Sequence, residues 1–255
     1  MNIWAIADLH LSFATPNKEM SIFGPGWQRH YEKIAAHWDT VVSHDDIVLI
    51  PGDISWAMKQ QDAMADLMWI HERPGTKVII RGNHDYWWES VAKVRKILPP
   101  SIHAIGHDAI CIQGVAFAGA RLWDTEEYHF QSIIDFKPRD EAPQEKHEKD
   151  IQQDEKIFQR ELGRLKMSLD AIPKAATYKI VLTHYPPIGL ELRDSQASKL
   201  IEQYGVSHCV FGHLHSIKPG LELFGEKNNI RYHLVSCDYV GFKLQRIASI
   251  SDDPK

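Results

Sequence analysis

Short, almost wholly apolar runs alternate along the chain with longer stretches in which apolar residues recur every three or four positions. The first kind reads as buried strand and the second as amphipathic helix. Asn2 to Ala7 is a strand-like run that ends at Asp8-Leu9-His10. After a Gly24-Pro25-Gly26 loop, Tyr31, Ile34, Ala35, Trp38, Val41 and Val42 fall at helical spacing. Asp46-Ile47-Val48-Leu49-Ile50 predicts a second strand, leading into Pro51-Gly52-Asp53. Met64, Leu67, Met68 and His71 mark a helix from Met58, stopped by Pro74-Gly75. The run Lys77-Val78-Ile79-Ile80 passes directly into Arg81-Gly82-Asn83-His84-Asp85, and a helix from Trp88 to Leu98 stops at Pro99-Pro100. Such alternation implies parallel strands joined by right-handed crossovers, and in these sheets ligands gather beyond the carboxyl ends of the strands.

The middle of the chain departs from this rhythm. Ala109 to Gln113 and Val115 to Gly119 predict a hairpin around Gly114, and a long polar stretch runs from Arg121 to Lys149. A connection of that length reads as a flap or insertion near a site, at about residues 121–150. From Ile151, the spacing of Phe158, Leu162, Leu165 and Leu169 predicts a long helix ending before Pro173. Tyr178 to Leu182 is a strand closed by Thr183-His184-Tyr185. Asp194 or Ser195 caps a helix through Tyr204, with Gly205 beyond its end. Ser207 to Phe211 is a strand closed by Gly212-His213-Leu214-His215, and Ile230 to Cys237 and Gly241 to Ile247 predict two last antiparallel strands. With no internal repeat and no linker, residues 1–255 read as one domain.

Composition narrows the function. The chain is 44% hydrophobic and 25% charged, an ordinary globular balance, and a net charge of -5 with no basic patch argues against binding nucleic acid. Cys111, Cys209 and Cys237 sit in apolar surroundings without a C-x-x-C pair, as reduced core thiols do. The apolar run at the amino terminus is too short for a signal segment, and no run approaches the ~20 residues of a membrane span. A cytoplasmic location is therefore expected. Fifteen histidines point towards metal binding, because neutral imidazole is the commonest transition-metal ligand.

The polar residues at the strand ends supply the chemistry. Asp8 and His10, Asp53, Asn83 and His84, His184, and His213 and His215 each follow a separate predicted strand. Hard oxygen from Asp and Asn, nitrogen from His and no thiolate is a donor set for borderline divalent cations; magnesium or calcium would prefer nearly all oxygen.

In this order, Asp8-x-His10, Gly52-Asp53, Gly82-Asn83-His84-Asp85, His184 and Gly212-His213-x-His215 resemble the motif series of the calcineurin-like metallophosphoesterases, across positions 8 to 215. The resemblance implies an α/β fold, a four-layer α/β/β/α sandwich of two mixed sheets flanked by helices. It also implies two divalent transition-metal ions, manganese, iron or zinc. Asp8, His10, Asp53 and His215 would hold one ion and Asp53, Asn83, His184 and His213 the other, with Asp53 bridging and a bridging hydroxide attacking phosphorus. His84 would stand beside the leaving oxygen, oriented by Asp85.

Where many members read Gly-Asp-x-x-Asp, this chain has Trp56 in place of the second aspartate, which sets a large aromatic near Asp53. Trp56, Tyr86, Trp87, Trp88, Trp123 and Tyr185 lie near the ligand loops and offer faces to a base, with core packing as the alternative. Arg81 and Arg121 are candidates for phosphate oxygens, or for surface ion pairs. The expected activity is metal-dependent hydrolysis of a small phosphorylated substrate, a nucleotide-like phosphodiester or a phosphorylated metabolite. The competing readings are a phosphomonoesterase, a nuclease subunit and a non-catalytic metal-binding scaffold.

Overall fold

The computed structural model describes residues 1–15, 17–18, 20–135 and 148–250. Among these, two mixed sheets pack face to face. The first has the order β11-β1-β2-β3-β4, built from β1 (Asn2–Ala5), β2 (Ile47–Ile50), β3 (Thr76–Ile79), β4 (Ile102–Ala104) and β11 (Gln245–Ser249). β1 to β4 run parallel, and β11 closes the edge antiparallel to β1. The second sheet has the order β5-β6-β7-β8-β10-β9, from β5 (Ile110–Ile112), β6 (Val115–Ala120), β7 (Tyr178–Thr183), β8 (His208–Phe211), β9 (Gly225–Lys227) and β10 (Ile230–Leu234). Its four central strands are parallel, and a hairpin strand flanks each edge.

Three apolar layers explain why the sequence stacks this way. Between the sheets, Ile3, Ala5, Leu49 and Val78 meet Phe117, Ile180, Leu182 and Val210. The opposite faces of the same strands bind the helices, since successive side chains on a strand alternate faces. On the first sheet, α1 (His30–Val41), α2 (Gln60–His71) and α3 (Val91–Ile97) bury Ile34, Trp38, Leu67 and Val94 against Val48, Ile50 and Ile79. On the second, α4 (Glu148–Asp170) and α5 (Gln196–Glu202) bury Leu165, Leu169 and Ile201 against Val181, Cys209 and Phe211. The expected four-layer α/β/β/α sandwich is the architecture observed.

Several details differ from the sequence reading. The long helix starts at Glu148, one turn earlier than its apolar spacing. Ser195, not Asp194, caps α5, in a capping box with Ser198. The last two strands do not pair with each other: β10 lies parallel to β8 in one sheet and β11 antiparallel to β1 in the other. β4 and β9, three residues each, carry too little pattern to be seen in sequence. Of the expected flap, residues 121–135 are ordered and tied down, while 136–147 lie outside the described residues. Asp135 N donates to Ser216 O at 2.7 Å, Lys218 N to Ile133 O at 2.9 Å, and the Tyr128 hydroxyl to Pro186 O at 2.6 Å.

The two sheets converge at one point. Beyond β1, Ala7 bridges to Ser236 beyond β10, with Ala7 N donating to Val235 O at 2.8 Å and Cys237 N to Ala7 O at 3.1 Å. The carboxyl ends of parallel strands from both sheets thereby face a common floor.

Candidate metal centre

Four of the strand-end residues are held in the left-handed region of backbone space: Asp8 at φ 59°, His10 at 44°, Asp53 at 51° and His213 at 73°. Non-glycine residues rarely adopt such angles, and the surrounding structure must hold them there. The ladder bonds do so here. Asp8 N donates to Gly52 O at 3.1 Å, His10 N to Asp53 O at 3.0 Å, and His213 N to the Asp8 carboxylate at 3.0 and 3.2 Å. Each strand is thus turned sharply where it leaves its sheet, and its polar side chain points back over the sheet end.

Glycines make room for this crowding. A Cβ on Gly82 would overlap the carboxylate and backbone nitrogen of Asp53, and one on Gly212 would lie 2.5 Å from Asp8 Oδ2. Gly82 does not need a glycine-only φ, so its role is close approach. Gly52 meets both demands, at φ 94° and with His184 Nδ1 2.6 Å from where its Cβ would stand.

All seven expected ligands come together. Asp53 Oδ2 lies 3.7 Å from His10 Nε2 and 3.5 Å from His184 Nε2, between the two donor sets. On one side, His10 Nε2 and His215 Nε2 are 3.4 Å apart, with Asp8 Oδ1 4.0 Å from His215 Nε2. On the other, Asn83 Oδ1 lies 2.6 Å from His184 Nε2 and 3.1 Å from His213 Nδ1. Asp8, His10 and His215, and separately Asp8, Asp53 and His184, bring single ligand atoms within 4.8 Å of one another. Asp8, expected on one side alone, also stands 3.7 Å from His184 Nδ1 and so neighbours both sets.

Tautomers provide a test of whether a cation fits. His184 Nδ1 is 3.0 Å from Pro51 O, and since a carbonyl only accepts, that nitrogen carries the proton. Its Nε2 lone pair then faces the Asn83 carbonyl oxygen at 2.6 Å. Burial pushes the His184 pKa down to about 3, so the ring is neutral and its Nε2 lone pair, beside the Asn83 carboxamide, is available to a cation. Burial likewise takes His10 and His213 well below the usual histidine range, and it raises Asp8 to about 7 and Asp53 above the usual carboxylate range. Neutral imidazoles beside carboxylates that resist carrying uncompensated charge are the donor chemistry of a divalent transition metal.

His215 differs from the other imidazoles. Burial works to lower its pKa, but the carboxylates of Asp8 and Asp238 outweigh burial and raise it to about 9. Its Nδ1 donates to Asp238 Oδ1 at 2.8 Å, and Ser216 N donates to the other oxygen of Asp238 at 2.9 Å. Sequence reading missed Asp238. The signal was present, since Asp238 directly follows the expected strand from Ile230 to Cys237, one more strand ending on a carboxylate.

Asp85 does not reach His84. Its Oδ1 accepts from Ile54 N at 2.9 Å, Ser55 N at 3.2 Å and Trp87 Nε1 at 3.0 Å, and its Oδ2 from Gly82 N at 2.7 Å. With four donors and complete burial, it clamps the Asp53 loop to the Asn83 loop, and burial raises its pKa to about 6. His84 is positioned instead through its backbone, with His84 N donating to Asp53 Oδ1 at 2.8 Å; its ring Nδ1 is buried without a hydrogen-bond partner among the described residues.

The aromatics divide. Trp56 stacks on His10, with centroids 5.0 Å and planes 23° apart, and lies 4.6 Å from His84, so the residue that replaces a second aspartate walls the site. Trp27, not foreseen, meets His10 and His215 at 6.1 and 5.7 Å. Tyr185 lies over His213 at 3.9 Å and next to Trp123 at 5.1 Å. Trp87 and Trp88 are buried core residues. Arg121 is engaged with Glu161 at 3.3 Å and lies over the Trp123 ring at 4.4 Å, while Arg81 Nε is buried without a partner among the described residues.

Comparison with known proteins came to the same family by another route. The model of the calcineurin-like phosphoesterase family matches residues 1–216. The Gene 66 protein of Mycobacterium phage D29 is 38% identical over 86 residues, 33% of this chain and 40% of that protein. The Gene 66 protein of Mycobacterium phage L5 is 31% identical over 148 residues, 51% of this chain and 70% of that protein. The phosphopantetheinyl hydrolase PptH of Mycobacterium tuberculosis has a similar fold, with a TM-score of 0.51 at 12% identity over 99% of this chain and 96% of that one.

Proposed function

The chain belongs to the calcineurin-like phosphoesterase family, and on that premise we propose that it hydrolyses a small phosphate ester with two divalent cations at the strand-end cluster. Asp8, His10, Asp53 and His215 would hold one cation, and Asp53, Asn83, His184 and His213 the other. When bound, the pair supplies Lewis-acid charge for the phosphoryl oxygens and lowers the pKa of water. The observation that carries this reading is the place of Asp53 Oδ2, between His10 Nε2 at 3.7 Å and His184 Nε2 at 3.5 Å.

The protein's own groups do the remaining work. Asp53 uses its other oxygen to hold His84 N, so the carboxylate shared by the two donor sets and the turn that carries His84 are one unit. The partly exposed His84 imidazole donates a hydrogen bond or a proton to the departing oxygen. Asp85 acts on that turn by fastening Gly82 to Ile54 and Ser55, without touching the ring. Trp56 and Trp27 cover the His10 side and keep water from it. Manganese, iron and zinc all suit these donors.

The preferred substrate is a small phosphodiester of nucleotide type or a phosphorylated metabolite. Net charge of -5 argues against a nucleic acid. The test is a screen of the manganese-supplemented protein against aryl mono- and diesters, cyclic nucleotides, dinucleotides and nucleotides, together with metal analysis. Turnover that requires metal, at two ions per chain, is the expected result. Less than one ion per chain under replete conditions would overturn the two-metal assignment.

A further inference from the structure

A cavity of about 260 Å³ lies beyond the carboxyl ends of β3, β4 and β6, where ligands gather in parallel sheets. Arg81 follows β3, Gly106 follows β4 and Arg121 follows β6, so both sheets contribute to its wall. The chain leading into α3 and the α4 residues Glu161 and Arg164 complete it. None of the seven candidate metal ligands lines it. The volume is below the ~300–1,000 Å³ of drug-sized sites and suits one small group.

Three guanidiniums line this space, from Arg81, Arg121 and Arg164, together with the carboxylates of Glu89 and Glu161. Both carboxylates are already engaged. Glu89 pairs with Lys93. Glu161, only 2% exposed, accepts from Arg164 Nη1 at 2.6 Å and Arg121 Nη2 at 3.3 Å, with Arg160 Nη2 at 3.7 Å. One buried acid thus serves three bases. Arg81 has no share in it: its Nε is buried without a hydrogen-bond partner, and it forms no ion pair among the described residues. A buried donor left unsatisfied is costly, the more so on a charged group. Burial lowers the Arg121 pKa; Glu161 opposes that, and the like charge of Arg81 adds to it.

We propose that this cavity is an oxyanion site that takes one phosphate group against Arg81 and Arg121. A guanidinium presents paired N–H donors in a fork that matches phosphate oxygens. A phosphate held there satisfies Arg81 and offsets the repulsion between two neighbouring cations. The site adjoins the metal centre through the main chain. Arg81 is two residues before Asn83, and Arg121 O accepts from His184 N at 3.1 Å and Tyr185 N at 3.0 Å. It is nevertheless built from other side chains, and it stands whether or not the strand-end cluster holds metal.

The test uses the full chain treated with a chelator, so that phosphate meets no metal, with circular dichroism to confirm the fold. At constant ionic strength the protein is titrated calorimetrically with inorganic phosphate, glycerol 3-phosphate and acetate. One phosphate per chain is expected, with acetate about fivefold or more weaker, since it carries a single charge. Arg81→Gln should weaken phosphate binding about tenfold or more, and Arg81→Lys, which keeps the charge but loses the fork, should weaken it less. His213→Ala should leave the Kd unchanged. In arginine-labelled protein, the Nε–H resonance missing from Arg81→Lys should shift with phosphate on the same Kd. Glycerol 3-phosphate binding at least as tightly as phosphate identifies a phosphoryl group carried on a small molecule, and its exclusion identifies free phosphate. No binding, or binding unmoved by both Arg81 variants, would overturn the inference. Loss of binding in His213→Ala alone would place phosphate at the strand-end cluster and overturn it equally.

Discussion

Asp238 Oδ1 accepts the Nδ1 proton of His215 at 2.8 Å, which leaves His215 Nε2 as the atom that faces His10 and Asp8. A carboxylate behind a metal-binding imidazole fixes its tautomer and raises its basicity. Asp238→Asn should weaken metal affinity by about 10- to 100-fold, read by competition with a chelating indicator, while circular dichroism stays that of the wild type. Unchanged affinity would mean that His215 is held by packing alone.

His84→Ala separates chemistry from metal binding. His84 shares its turn with Asn83 but has no place in either donor set, so the variant should keep its metal content and lose about 10²- to 10⁴-fold in kcat. Loss of metal along with activity would contradict the assignment.

Asp85 carries a different expectation. Four N–H donors converge on its buried carboxylate, and Asp85→Asn turns an amide group towards some of them. A loss of about 2–4 kcal/mol in denaturant unfolding is expected. If stability is unchanged and only kcat falls, Asp85 acts on His84 after all.

Gly82→Ala should damage the centre more than the fold. The new Cβ would fall on Asp53, which must move, and with it the carboxylate shared by the two donor sets. Overpacking of this kind costs about 1–3 kcal/mol, whereas manganese affinity should fall beyond the range of the titration. A variant that binds manganese normally would show that the two loops can separate.

Away from the site, Tyr178 OH, His208 Nε2, His208 Nδ1 and His233 Nε2 form a chain with steps of 2.7 and 3.0 Å. Burial, then the neighbouring His208, holds the His233 pKa down at about 4, and burial lowers His208. A histidine whose pKa is lower folded than unfolded favours the neutral form. Its stabilisation is complete above the unfolded value of about 6.5 and is lost as pH falls through about 4. The difference in melting temperature between wild type and His233→Gln should therefore shrink steadily from pH 7 to pH 4. A constant difference would rule out linkage at this pair.

Much of this protein was legible in one dimension. The apolar runs ending on Asp8, Asp53, Asn83 and His184 located strands and candidate chemistry together, because a buried parallel strand must be apolar and the first polar residue beyond it is where a ligand can be met. The same rule, applied to the strand before Asp238, would have found that residue too. A glycine at position 82 suggests conformational freedom from sequence, and only the neighbouring Asp53 shows that the constraint is space. Asp85 lay beside His84 in the chain, but adjacency does not say where a side chain points.

Residue type and periodicity alone were enough for the alternation of strands and helices, the order of the polar residues at the strand ends and their donor chemistry, while the four layers followed from the resemblance of those motifs to a known family. Tertiary structure decided which atoms meet. The left-handed turns at Asp8, His10, Asp53 and His213 are held by hydrogen bonds between segments remote in the chain, such as His213 N to Asp8. Propensity gives no sign of them, because an L-residue adopts such angles only where long-range contacts outweigh the local steric cost. Tertiary structure likewise sets Trp123 and Tyr185, remote in sequence, side by side in a cavity next to the candidate metal centre.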